Sequence, residues 1–98
     1  MINIFTQEQI QQFQEVCAQR GYVVWYGSAF RDEVGKIIQA TEQKHRVKTV
    51  DITFVANICI QDDGTFKVHK IKGKGMEEVV DTWDKAILKF HEYLLMRK

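Results

Sequence analysis

Four lysines, Lys67, Lys70, Lys72 and Lys74, fall close together, and Lys44, Arg46 and Lys48 precede the strand-like run that would face them across a turn. Cationic groups at this density are suited to phosphate contact, and Trp25 or Tyr26 would supply a flat surface on which a base stacks. Lysines at a strand edge have a second use, since they keep that edge from pairing with another chain. Lys72-Gly73-Lys74-Gly75 has the glycine content of an anion-binding loop. It lacks the GxxxxGK[ST] spacing, and Glu77 and Glu78 occupy the turn that follows. Gly27-Ser28 with Arg31 reads as a plain helix cap.

Catalysis and metal binding find less support. His45, His69 and His91 are far apart in sequence, and the adjacent pairs Asp32-Glu33 and Asp62-Asp63 diverge on a helix or serve a turn. Nothing places a nucleophile beside a base, so we expect a non-catalytic protein without a cofactor. Cys17 and Cys59 form neither a CxxC nor a disulfide framework, which leaves no zinc spacing and points to reduced thiols.

Several elements must position these residues. Thr6, with Gln9 three residues on and Phe5 set to staple onto Ile10, marks a helix start, and Gly21 marks its end, giving roughly 7 to 20. Tyr22 to Tyr26 is β-branched and aromatic and reads as a short strand. Ser28 caps an expected second helix with Phe30, Val34, Ile37, Ile38 and Thr41 on one stripe, fading near His45. Thr49 to Ile60 alternates, with Ile52, Phe54, Ala56, Ile58 and Ile60 on one face and Thr53, Val55, Asn57 and Cys59 on the other. Asp62-Asp63-Gly64 is a three-residue hairpin loop that pairs Ile60 with Phe66 and Ile58 with Val68. The return strand reaches about Lys72. Met76, Val79, Val80, Trp83, Ile87, Phe90 and Leu94 then give a long final helix one apolar face.

The expected fold is α+β: a small three-stranded mixed sheet, made of the hairpin plus one short strand, with three helices packed on one face in the order α-β-α-β-β-α. The second sheet face would then carry Thr53, Val55, Asn57, Cys59, Lys67, His69 and Ile71, joined by Val23 and Trp25, unless Ile2 and Ile4 cover it. The strand from Thr49 is longer than a domain of this size needs, so it either bends or projects. With Ile2 to Phe5 taken as a strand, the element order resembles that of the type I KH RNA-binding module. The GxxG that defines that family is replaced here by Tyr22 to Gly27, and no residue is carried over.

The chain has 98 residues, which fits a single domain over 1 to 98, and 45% apolar with 28% charged residues is ordinary for a globular fold. A formal net charge of +1 excludes wholesale electrostatic capture of DNA. Charge is nonetheless uneven, with seven basic against three acidic residues between positions 44 and 75. Proline is absent, so glycine alone punctuates the chain. No apolar run is long enough for a membrane span and the N-terminus lacks a signal-peptide pattern, so we expect a cytoplasmic protein with no membrane partner.

Two functions fit. One is an adaptor or inhibitor, of a size common among accessory or mobile-element proteins, that binds a protein partner or a second copy of itself. Its contacts would be Trp25, Val55, Lys67, His69 and Ile71. The other is a single-stranded nucleic-acid or RNA binder using Lys67, Lys70, Lys72, Lys74, Arg46 and Lys48.

Overall fold

The computed structural model describes residues 4–25 and 35–96. Helix α1 spans Gln7–Gln19 and opens with a reciprocal cap: the Thr6 side chain accepts the Gln9 N–H at 3.2 Å, and the Gln9 side-chain oxygen accepts the Thr6 N–H at 2.9 Å. It closes on Gly21 at φ +77°, where the Gly21 N–H donates to the Ala18 carbonyl and the Tyr22 N–H to that of Cys17. These are the two bonds of a glycine-terminated helix end. Thr6→Ala is expected to lower stability by about 1 kcal/mol. A urea midpoint unchanged from wild type would show that the cap contributes nothing.

Five strands follow: β1 (Val23–Trp25), β2 (Ile37–His45), β3 (Val50–Ile60), β4 (Phe66–Lys70) and β5 (Met76–Val80), and the chain ends in α2 (Trp83–Leu95). The sheet order is β1-β2-β3-β4-β5 with every pair antiparallel. This corrects the expected three-stranded mixed sheet with three helices: the described residues hold two helices and a five-stranded antiparallel sheet. The KH-like order goes with it. The expected Ser28 cap, Gly27, Arg31, Tyr26, Phe30 and Val34 lie outside the described residues, as does Ile2.

Both misread segments contain short apolar runs whose spacing suits a helix or a strand. Residues 37–45 form β2 because β3 needs a partner on the edge that β4 leaves open, and unpaired backbone groups there would be costly. Gly35 at φ +81° interrupts the chain just before this strand. Residues 76–80 likewise pair with β4, setting Val80 opposite Phe66. The final helix starts only at Trp83, where the Thr82 hydroxyl caps the Lys85 N–H.

The hairpin between β3 and β4 has the expected register, Ile60 opposite Phe66 and Ile58 opposite Val68, with Gly64 at φ +85°. Asp63 accepts from both the backbone N–H and the hydroxyl of Thr65. These bonds hold its carboxyl below the usual range.

Both helices cover one sheet face. Ile38, Ala40, Ala56, Ile58, Ile60, Phe66 and Val68 meet Phe13, Cys17, Ala86, Ile87, Phe90 and Leu94 in one core. Phe13 of α1 stacks on Phe90 of α2 at 4.2 Å between ring centres. Trp83 packs edge-on against both Phe5 and Phe66, and its indole N–H donates to Gln12 at 2.8 Å.

Candidate functional site

The register of β2 against β3 shifts between Ala40 and Thr41: Ala40 lies opposite Ala56, but Thr41 lies opposite Phe54. Val55 is therefore an extra residue, a β-bulge, and every side chain before it changes face. Ile52 and Phe54, expected in the core with Ala56 and Ile58, stand instead on the face away from the helices. Val55, expected on that second face, is buried and lines a cavity with Tyr93 and Leu94 of α2. Its carbonyl accepts the N–H groups of Ile71 at 2.8 Å and Lys72 at 3.1 Å, so the bulge is tied to the end of β4.

β1 reaches only Gln39–Thr41 of β2, and β4 reaches only Ala56–Ile60 of β3. Beyond those limits the two central strands run on as a two-stranded arm, in a molecule of 44 × 29 × 23 Å. The long strand thus projects. One side of the arm and adjoining sheet carries Val50, Ile52, Phe54, Val23 and Trp25, and Phe54 is 37% exposed despite its size. Trp25 meets Phe54 edge-on at 6.0 Å. The arm ends in Lys44, His45, Arg46, Val47 and Lys48, with Arg46 paired to Asp51 at 2.6 Å.

The sequence-predicted contact residues divide between two sides of the sheet. Trp25, Lys67 and His69 share the face that carries Phe54, with Lys67 3.4 Å from the Glu77 carboxylate and His69 opposite Asn57 and Glu77. Ile71 is partly exposed at the end of β4.

The proposed lysine stripe is not a surface stripe. Lys70 is 2% exposed, and its ammonium donates to the backbone carbonyls of Lys72 and Lys74. β4 alternates like any strand, so Lys67 and Lys70 point to opposite faces. Lys72 pairs with Glu42 at 2.7 Å, a hydrogen bond that raises its pKa. Of the group, Lys48 remains at the arm tip, and Lys74 is exposed in the β4–β5 turn.

Val50, Ile52 and Phe54 are exposed apolar residues that strict alternation does not reveal, because it allows no inserted residue, and Val79, expected on the stripe of the last helix, is exposed on β5. The excess length of the strand was the available signal. Among the described residues no group of three His, Cys, Asp or Glu side chains could hold a metal ion. No helix among them is long and apolar enough to cross a membrane. Comparisons with protein-family models, with curated proteins and with solved structures give no match.

Proposed function

We propose that this protein is a non-catalytic adaptor or inhibitor that binds a protein partner through the arm and the sheet face opposite α1 and α2. The observation that supports this reading is the bulge at Val55, which turns Ile52 and Phe54 outward beside Trp25 and Val23. Exposed aromatic and branched side chains in contiguous array favour burial against another surface. Aromatic residues with a few basic groups at the rim match the composition of interface centres. Lys44 and Lys48 around the tip, where Arg46 is already paired to Asp51, favour a partner whose apolar patch is bordered by carboxylates.

The nucleic-acid alternative receives less support, since a continuous lysine stripe would need Lys70 on the surface and Lys72 away from Glu42.

The test is affinity purification of tagged wild type and of the double variant Trp25→Ser, Phe54→Ser from the source cells, with light scattering of each purified protein. A single protein recovered in stoichiometric amount by wild type, and about tenfold less by the variant, is the expected result. A doubled mass for wild type alone would make the partner a second copy. Recovery of RNA that depends on Arg46 and Lys48 but not on Trp25 would overturn the proposal. The variant must keep the wild-type far-UV spectrum, because both side chains lie outside the helix-side core.

A further inference from the structure

On the helix side of the sheet, a cavity of roughly 560 Å³ opens between the C-terminal ends of α1 and α2 and the β4–β5 turn. Its lining includes Arg20, Lys70 and Lys72, the phenols of Tyr22 and Tyr93, Val55, and the aliphatic last turn of α2, with no acidic residue among them. We infer that this cavity binds a small carboxylate with an apolar body, the carboxylate received by Lys70 and Arg20 and the hydrocarbon part lying against Val55 and the end of α2. This site is independent of the arm and of the function proposed for it.

Lys70 carries the inference. An ammonium has three N–H donors, and Lys70 uses two, on the carbonyls of Lys72 and Lys74. No carboxylate among the described residues forms an ion pair with it, although its side chain is almost fully buried. A buried cation without a counter-charge is costly, and backbone dipoles offset only part of that cost. The helix ends nearby contribute little more. The carbonyls of Cys17, Ala18, Glu92 and Tyr93 in their last turns already accept from the N–H groups of Arg20, Gly21, Tyr22 and Met96, and a helix terminus amounts to only about half a charge.

Arg20 is the second cation of the cavity lining that forms no ion pair with a carboxylate among the described residues. Its guanidinium lies 3.2 Å from Nε2 of His91, a side chain with no negative charge to offset it. Lys72 differs, because Glu42 already balances it. Two cations without a carboxylate partner and several aliphatic side chains in the lining of one cavity select an anion with an apolar portion over either property alone. Burial raises the Tyr93 pKa, so its phenol stays protonated and able to donate at neutral pH.

The probe is decanoate, titrated into the full-length protein at neutral pH and followed by methyl resonances, with decanol and inorganic phosphate as comparisons. Saturable one-site binding that shifts Val55, Leu94 and Met96 is expected, with decanol and phosphate each weaker by about tenfold or more. Arg20→Gln, at a helix end, should weaken decanoate by about tenfold with folding intact. Lys70→Met should weaken it further. Absence of saturable binding, equal affinity for decanol, unchanged affinity in Arg20→Gln, or shifts confined to Trp25 and Phe54 would each overturn the proposal. Should Lys70→Met fail to fold, Arg20→Gln and the decanol comparison decide the matter without it.

Discussion

Phe13→Ala is expected to cost about 3 to 5 kcal/mol of unfolding free energy, the range for deleting a large aromatic ring from a packed interior. Phe13 and Phe90 are both fully buried and stack at 4.2 Å with an interplanar angle of 21°. Theirs is the ring contact that joins the two helices, whose other core residues pack mainly onto the sheet. Each ring therefore has apolar neighbours on both sides, and a methyl group in its place leaves a cavity that two fixed helices and a hydrogen-bonded sheet cannot close. A domain of this length has only about 5 to 15 kcal/mol to lose, so either truncation removes a large share of its stability.

A double-mutant cycle over Phe13→Ala and Phe90→Ala should show a coupling of about 0.5 to 1.5 kcal/mol, the amount by which stacked rings exceed their separate burial. Phe13→Leu should recover most of the loss. A urea titration in which Phe13→Ala costs under about 1 kcal/mol would contradict the docking of α1 against α2, since ordinary surface changes already span about half that.

Reaction with a disulfide reagent should divide the two thiols by at least a thousandfold in rate. Cys17 is fully buried on α1 among core side chains, whereas Cys59 is partly exposed on the sheet face away from the helices. Burial pushes the Cys17 thiol up from 9.0 to about 12, so the reactive thiolate is scarce in the folded protein at pH 8. Labelling of Cys17 then waits for opening of the fold, at a rate set by an unfolding constant of about one in a thousand or smaller. Phe13→Ala should speed that slow phase by about a hundredfold or more, because it lowers the cost of the same opening. Equal rates at the two positions in the native protein would refute the placement of Cys17.

The raised thiol also fixes a direction for alkaline stability. The unfolded chain loses the Cys17 proton near pH 9 while the folded chain holds it to about 12. Stability from this group is therefore complete below pH 9 and is lost progressively as pH rises through that interval. Cys17→Val, which has no proton to lose, should show a flatter decline of the urea midpoint between pH 8 and pH 11 than wild type does.

The features legible in the residues are those whose determinants lie within a few positions of one another. Thr6 and Gln9 define the start of α1, Gly21 its end, and Asp62-Asp63-Gly64 the register of the β3–β4 hairpin, and all appear where expected. The core positions Ile87, Phe90 and Leu94 of the last helix were equally readable, since one helical stripe contains them. Of the contact residues, Trp25, Lys67 and His69 share a face because alternation along each strand places them there.

What remained hidden depends on partners distant in the chain. Ile37 to His45 and Met76 to Val80 have apolar spacings that serve a helix or a strand alike, and only the open edges of β3 and β4 decide for the strand. Lys70 looks like an exposed lysine until the β4–β5 turn brings two carbonyls to its ammonium. Phe54 looks like a core residue until Val55 is taken up as a bulge, which turns one large aromatic outward and supplies the exposed face. Caps and turns close hydrogen bonds among near neighbours, so the sequence alone determines them. Strand identity and side-chain facing depend on backbone bonds to segments far along the chain, and those exist only once the sheet has assembled.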